Sequence, residues 1–187
     1  MPLPDFKILS SASISHECII HNIHTFHTAI DFVHHLPYAR NTKRNEPTIL
    51  LTDRCGTCST KHAFLKRLAD ENEVPGLHLI VGIFKMKAAN TPQVKSILDR
   101  YSLDYLPEAH TYLKYYGQIY DYTKSPSFDF EDDLIEEVEI APEEITEYKI
   151  IYHRTYIEEW LSANKQIPYS LSELWAIREE CIKALSN

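Results

Sequence analysis

The sequence has no long hydrophobic run and no visible targeting segment. No stretch of about eighteen consecutive apolar residues occurs, so we expect no transmembrane helix and no membrane partner. The first residues lack a basic head followed by an apolar stretch, which predicts that there is no signal peptide. Four cysteines in 187 residues are too few for a disulfide scaffold. Together these absences predict a cytoplasmic protein with reduced thiols.

Glycine is scarce as well, with four residues against ten prolines, and the sequence has no internal repeat or low-complexity linker. Hydrophobic residues make up 44% of the chain and charged residues 25%, which excludes a disordered or fibrous protein. The length is that of one domain. We therefore predict a single domain over residues 1–187, with a core at 24–124 and an acidic segment and C-terminal helices at 125–187.

The negative charge is concentrated in the last third of the chain. The formal net charge is −8, of which residues 125–187 carry −10 and residues 1–124 carry +2. Ten acidic residues fall between Asp129 and Glu147 with no lysine or arginine among them. Such a run repels phosphate backbones, so we expect no nucleic-acid partner. Two interpretations stay open, a solvated acidic flap and a surface that attracts a basic substrate or partner.

Hydrophobic periodicity predicts a mixture of helices and strands. The predicted helices are 24–36, 59–71, 91–101, 154–163 and 171–185, and the predicted strands are 48–52 and 77–84, with a Tyr-rich β-hairpin over 109–122. The hairpin is expected to turn at Tyr116 and Gly117, which pairs Tyr115 with Gln118. Helices that alternate only in part with antiparallel strands predict the α+β fold class.

The most informative stretch runs from Arg54 to His62, between a predicted strand and a predicted helix. Cys58 is expected at the N-terminus of that helix, where free N–H groups and the helix dipole stabilise a thiolate. A thiolate at this place is a competent nucleophile, and neighbouring N–H groups can stabilise an oxyanion. The alternative is a buried and inert cysteine.

A cysteine nucleophile needs a base and a group that orients the base, and the hairpin offers both. The predicted register pairs Tyr112 with Asp121, and the two-residue period of a strand places His110 on the same face as Tyr112. His110 and Asp121 are then diagonal neighbours, whereas a change of one residue in the turn would separate them. The candidate catalytic residues are therefore Cys58, His110 and Asp121.

The order of Gly-x-Cys at a helix start, then His and Asp on successive strands, resembles the transglutaminase-like cysteine hydrolases, a branch of the papain-like fold. The resemblance covers about residues 48–124 and includes Gly56-Thr-Cys58 and Asp121-Tyr-Thr123. It implies a cysteine helix packed on an antiparallel sheet, with extra C-terminal helices. It also implies a hydrolase or acyltransferase, such as a protease or amidase, that acts on a peptide or small-molecule amide or ester without a cofactor.

This chain departs from the family pattern in four ways, which leaves the reaction type open. An extra cysteine, Cys55, precedes the helix, and about sixty C-terminal residues match no part of the family. Tyr112 stands where a tryptophan is commoner, and the spacing from His110 to Asp121 is short. The fold usually takes an oxyanion donor from an upstream residue, and Asn41 is the candidate, with a turn former after Pro37 as the alternative. Because the family includes members that have lost activity, a non-catalytic binding module stays open as well.

A thioredoxin-like thiol–disulfide oxidoreductase is the main alternative. A strand, the sequence Cys55-Gly-Thr-Cys58 and a helix are also the redox arrangement, and Pro107 would correspond to that family's cis-proline. This alternative predicts Thr48–Thr52 in the middle of a sheet, within a parallel strand–helix–strand unit. It leaves His110 and Asp121 without a role.

Histidine spacing gives a further alternative, a metal site. His21, His24 and His27 recur every three residues, and helical spacing of this kind can present two imidazoles to one ion. We favour histidines on an ordinary helix face. A zinc site built from the two cysteines and His62 lacks a fourth ligand at sensible spacing. We therefore predict no metal and no cofactor.

Overall fold

The computed structural model describes residues 2–124 and 129–185 of the chain. The helices are α1 Ser13–Ile20, α2 Phe26–His35, α3 Ile49–Asp53, α4 Cys58–Glu71, α5 Lys95–Arg100, α6 Glu147–Ala163 and α7 Leu171–Ala184. The strands are β1 Leu77–Met86, β2 Leu106–Tyr115, β3 Gln118–Tyr120 and β4 Leu134–Glu139, and 3-10 helices span Pro92–Val94, Glu131–Asp133 and Pro142–Ile145. These elements confirm the predicted α+β fold class. None of the described helices has the length and apolar character needed to cross a membrane.

The four strands form one antiparallel sheet in the order β3-β2-β1-β4. In the β2–β3 hairpin the register pairs Tyr115 with Gln118. The connecting residues Tyr116 and Gly117 both have positive φ, at 46° and 79°, which is the backbone of a tight two-residue turn. The predicted turn and the pairing of Tyr115 with Gln118 are therefore confirmed. The ladder ends at the Leu113–Tyr120 pair, so the predicted pairing of Tyr112 with Asp121 lies beyond it.

Contacts divide the described residues into two compact units. The first unit contains residues 2–81, 111–124 and 138–146, and the second contains residues 82–110, 129–137 and 147–185. Helices α1 to α4 belong to the first unit, and helices α5 to α7 belong to the second. The expectation of one domain over the whole chain stays a prediction, and residues 125–128 and 186–187 of its C-terminal part lie outside the described residues.

Helix α4 is the centre of the first unit. Helices α1, α2 and α3 and the 3-10 helix Pro142–Ile145 all pack against it. Phe64, Leu65 and Leu68 supply apolar core, yet the polar first turn from Ser59 to His62 is buried as well. Buried polar groups need hydrogen-bond partners inside the protein. The start of α4 therefore concentrates polar contacts in the core of this unit.

The second unit packs α7 against α5 and α6 and contains a buried ion pair. Arg178 of α7 donates two hydrogen bonds to the carboxylate of Glu108, 2.8 and 2.6 Å long. Burial raises the pKa of Glu108, but the positive charges of Arg178, His153 and Lys149 and the hydrogen bonds of Arg178 outweigh burial and hold that pKa below its usual value. The guanidinium also lies over the ring of Trp175, at 5.2 Å. The pair is thus charged at neutral pH, and the Trp175 ring packs against its guanidinium.

The predicted strand over Thr48–Thr52 is wrong. This segment forms the short helix α3, which ends at Arg54 in the left-handed conformation with φ of 54°. Its apolar residues Ile49, Leu50 and Leu51 are all buried, as a buried strand would also require. A short apolar run has no periodicity that separates a helix from a strand, and packing against α4 decides in favour of the helix.

The acidic stretch between Asp129 and Glu147 is an anchored segment and not a loose flap. Strand β4 lies in it, at the edge of the sheet beside β1. The apolar residues Phe130, Ile140 and Ile145 of the same stretch are buried. The carboxylates of β4 are exposed as predicted, on Glu136, Glu137 and Glu139. Apolar anchors therefore hold an acidic strand at the sheet edge.

Candidate functional site

The threonine that precedes α4 caps the helix. The Thr57 hydroxyl accepts a hydrogen bond from the Thr60 N–H at 3.5 Å, and the Thr57 N–H donates to Thr60 Oγ1 at 3.0 Å. This reciprocal capping box fixes the helix start. Cys58 is therefore the first residue of a 14-residue helix, as the sequence predicts, where the helix dipole favours negative charge.

The loop before Cys58 depends on Gly56. The Gly56 N–H donates to the backbone oxygen of Pro37 at 3.1 Å, which ties this loop to the segment that follows α2. A Cβ atom on residue 56 would lie 2.5 Å from Leu50 Cδ2 and 3.0 Å from Lys61 Cγ. Side chains from α3 and α4 thus leave room only for glycine.

We expect Gly56→Ala to lower the free energy of unfolding by about 1–3 kcal/mol, because the added methyl group must displace Leu50 or Lys61. Urea denaturation followed by circular dichroism measures the change. In Leu50→Ala/Gly56→Ala the obstructing methyl group is gone, so the double variant should lose less than the sum of the two single losses. Strict additivity of the two losses would contradict the steric explanation.

Asn41 braces the same loop. Its Nδ2 lies 2.8 Å from the backbone oxygen of Cys55 and 3.3 Å from Asp53 Oδ2, and its Oδ1 accepts a hydrogen bond from the Thr60 hydroxyl at 2.8 Å. Both amide hydrogens are thus directed at acceptors of the loop. These contacts give Asn41 a structural role, and its oxyanion role stays a prediction.

Ser59 connects the start of α4 to strand β2. Its hydroxyl lies 3.9 Å from Cys58 Sγ and 3.2 Å from Thr111 Oγ1, in a buried hydrogen bond. Thr111 is the residue that follows His110 in β2. The hydrogen bond therefore joins the first turn of α4 to β2 within the first unit. Because successive side chains of a strand point to opposite faces, this contact by itself does not direct His110 toward Cys58.

His110 is a buried residue of β2, with 5% of its surface exposed. Its ring meets the rings of Phe130 and Phe84 edge-on, with centroid distances of 4.9 and 6.2 Å. Packing of this kind restricts the orientation of an imidazole and limits the access of water. The ring therefore sits in a defined aromatic environment.

Asp121 follows β3 and is held by Thr123. Its Oδ1 accepts hydrogen bonds from the Thr123 N–H at 2.9 Å and from the Thr123 hydroxyl at 2.5 Å. The same oxygen lies 3.5 Å from His62 Nε2, and 7% of the Asp121 side chain is exposed. The Asp-x-Thr sequence thus builds a turn that holds a buried carboxylate in one orientation.

His62 is a fully buried residue of this region that the sequence suggested only as a zinc ligand with the two cysteines, and not as a neighbour of Asp121. Its Nδ1 lies 2.9 Å from the backbone oxygen of Cys58, and its Nε2 accepts the Tyr122 N–H at 2.8 Å. Because Nε2 is the acceptor, the neutral ring carries its proton on Nδ1, and this N–H donates a hydrogen bond to the backbone oxygen of Cys58. The spacing of four residues along a helix was the available signal, since it places His62 beside Cys58.

Within the first unit, three groups therefore surround the start of α4. They are the carboxylate of Asp121, the imidazole of His62 and the loop that Asn41 holds by hydrogen bonds. Comparison with protein-family models, curated proteins and solved structures found no match.

The thioredoxin-like alternative does not fit the arrangement of the strands. Helix α3 precedes Cys55, and the four strands of the described sheet all come after α4 in the chain. The parallel unit that this alternative predicts is therefore not found in residues 2–124 and 129–185. Burial and Asp53 raise the pKa of the Cys55 thiol, while Lys61 opposes the rise. A raised pKa makes Cys55 a weak attacking thiol at neutral pH.

The histidine-based metal site is not formed either. His21 follows α1, His24 lies before α2 and His27 lies within α2, so the three residues do not share one helix face. The Nε2 atom of His27 instead lies 3.0 Å from the backbone oxygen of Leu3. In the part of the chain that the structure describes, no group of three His, Cys, Asp or Glu side chains could hold a metal ion.

Proposed function

We propose that the chain is a transglutaminase-like cysteine hydrolase or acyltransferase. In this proposal Cys58 is the nucleophile, His110 is the general base and acid, and Asp121 orients the imidazole. The substrate is a peptide or small molecule with an amide or ester bond. The chemistry needs only these three side chains and the N–H groups at the start of α4.

The proposed reaction proceeds through an acyl-thioester. His110 accepts the proton of the Cys58 thiol, and the sulfur forms a bond to the carbonyl carbon of the substrate. Backbone N–H groups at the start of α4 stabilise the oxyanion of the tetrahedral intermediate. This intermediate breaks its C–N or C–O bond, and His110 donates the proton to the leaving amine or alcohol. Water or an amine then attacks the thioester, which releases the acyl product and regenerates the thiol.

The position of Cys58 carries this proposal. Cys58 is the first residue of α4, where free N–H groups and the helix dipole favour a thiolate. The β2–β3 hairpin places Asp121 one residue beyond the pair that ends its ladder. A nucleophile at a helix start, an imidazole on a strand and a carboxylate just after the neighbouring strand are the three kinds of group that acyl transfer through a cysteine uses.

Alkylation by iodoacetamide, followed by mass spectrometry, tests the nucleophile. At pH 7 we expect Cys58 to react at least about tenfold faster than Cys55, because the helix start and an imidazolium favour the Cys58 thiolate. Cys18 and Cys181 are internal controls, since burial and neighbouring acids raise the pKa of each thiol to about 12. Equally slow labelling of Cys55 and Cys58 would contradict an activated thiol.

A further inference from the structure

Lys61 is a fully buried lysine to which the proposed reaction assigns no role. Its exposed fraction is 0%, and its Nζ donates hydrogen bonds to the backbone oxygens of Leu36 and Thr123, each 2.6 Å long. Thr123 in turn donates its N–H and its hydroxyl to Asp121. The ammonium group therefore anchors the turn that holds the proposed orienting carboxylate.

The side chain of Lys61 also packs beside the loop that leads to the nucleophile. Its Cγ atom occupies the space in front of Gly56, only 3.0 Å from where a Cβ atom of residue 56 would lie. Cys58 and Lys61 are three residues apart in α4, which makes them neighbours on one face of the helix. The helix thus places Lys61 on the same face as the candidate nucleophile.

Lys61 keeps its positive charge at neutral pH. Burial lowers the pKa of its amine to about 8, and Asp121, Cys58 and Cys55 oppose the decrease. Three titratable groups act on the ammonium directly, Asp121, Cys58 and Cys55, and the adjoining segments also carry His34, His62 and Tyr122. Two of them, Asp121 and the thiolate of Cys58, would be negatively charged in the proposed reaction.

A buried ammonium is costly in free energy, and a methionine of similar length would fill the same space without that cost. We propose that Lys61 is a positioning residue that stabilises the Cys58 thiolate electrostatically and holds Asp121 in place through Thr123. This inference rests on the proposed function, because it assigns the buried charge to that site.

The pH dependence of Cys58 alkylation tests this role. Lys61→Gln keeps two donor hydrogens for the two backbone oxygens but removes the charge. We expect Cys58 in Lys61→Gln to be alkylated about tenfold more slowly at pH 7, with the rate at high pH unchanged. Lys66→Gln is the matched control on the same helix, because Lys66 pairs with Asp70 and not with the site.

The outcomes separate the two hypotheses. If wild-type Cys58 reacts no faster than Cys55, the proposed function fails. If wild-type Cys58 is activated and Lys61→Gln has the same pH profile, the role of Lys61 is overturned and the proposed function stands. Cys58 is itself buried, with 7% exposed, so burial alone does not distinguish the thiols. Labelling of Cys18 and Cys181 would reveal a variant that has unfolded, because the pKa of each thiol is raised to about 12 in the folded protein.

A second measurement on a less disruptive variant keeps the inference testable even if Lys61→Gln unfolds. Stabilisation between two charges is reciprocal, so the Cys58 thiolate must also favour the protonated form of Lys61. Titration of the Lys61 Cε by carbon NMR should therefore give a lower pKa in Cys58→Ala than in the wild-type protein. Identical Lys61 titrations in the two proteins would overturn the inference.

Discussion

The Cys58→Ala variant is expected to hydrolyse an activated ester or amide at least about a thousandfold more slowly than the wild-type protein, because no other group replaces the nucleophile. His110→Ala should lose at least about a hundredfold, since the thiol then lacks its base and the leaving group lacks its acid. Cys55→Ser is the matched control and should keep most of the activity. The release of a chromogenic alcohol or amine measures all three variants.

The same variants discriminate acyl transfer from thiol–disulfide exchange. A dithiol enzyme needs both cysteines, because the second thiol resolves the mixed disulfide that the first one forms. Reduction of insulin disulfides therefore serves as the parallel assay. If Cys55→Ser and Cys58→Ser both abolish this reduction while His110→Ala has no effect, the redox alternative replaces the proposed function.

The Arg178→Met variant should lose about 3–5 kcal/mol of unfolding free energy, the second large effect that we expect. Its methionine fills much of the same space but leaves the buried carboxylate of Glu108 without the two hydrogen bonds that it accepts from Arg178. Burial would then raise the pKa of Glu108 with less to oppose it. Urea denaturation, followed by tryptophan fluorescence and by circular dichroism, measures the loss.

Arg100→Met is the matched control for Arg178→Met. Arg100 also pairs with a glutamate of α7, Glu180, but 60% of its side chain is exposed, and we expect a loss below about 1 kcal/mol. In Glu108→Leu/Arg178→Met both charges are removed together, so much of the stability should return. A double variant as unstable as Arg178→Met would contradict the explanation by an unpaired buried charge.

The sequence predicted the parts of the site that depend on local rules. The sequence placed Cys58 at the start of a helix, and the structure shows the reciprocal cap of Thr57 and Thr60 there, although the segment before it is helix α3 and not the predicted strand. The hairpin register follows from the turn at Tyr116 and Gly117, because the length of a turn sets the pairing of its two strands. Local chemistry was sufficient in both cases.

The burial of Lys61 and His62 could not be predicted from the sequence. Lys61 and His62 have the composition of a solvated helix face, yet both are fully buried and bonded to backbone groups far along the chain. Their partners Thr123 and Tyr122 come about sixty residues later. No periodicity reports such long-range contacts, so neither residue was predicted as a neighbour of the turn at Asp121.

Helix α3 and strand β4 show two further limits of local pattern. The apolar run from Thr48 to Thr52 is compatible with either a helix or a strand. Only its packing against α4 determines that it forms a helix. The sequence of β4 is rich in glutamate, which is depleted in strands. Its composition therefore did not predict a strand. The helix α6 likewise begins at Glu147, earlier than residue 154, because its first turns add little to an apolar face.

The acidic edge strand has a consequence for how copies of this chain meet one another. The open edge of a sheet exposes backbone N–H and C=O groups that can template a further strand. At one edge, β3 offers only three residues, and at the other edge β4 offers a row of exposed glutamates. Two copies that approached through β4 would bring like charges together, and the repulsion opposes fibre-like association. This protection depends on ionised carboxylates and therefore weakens in acid.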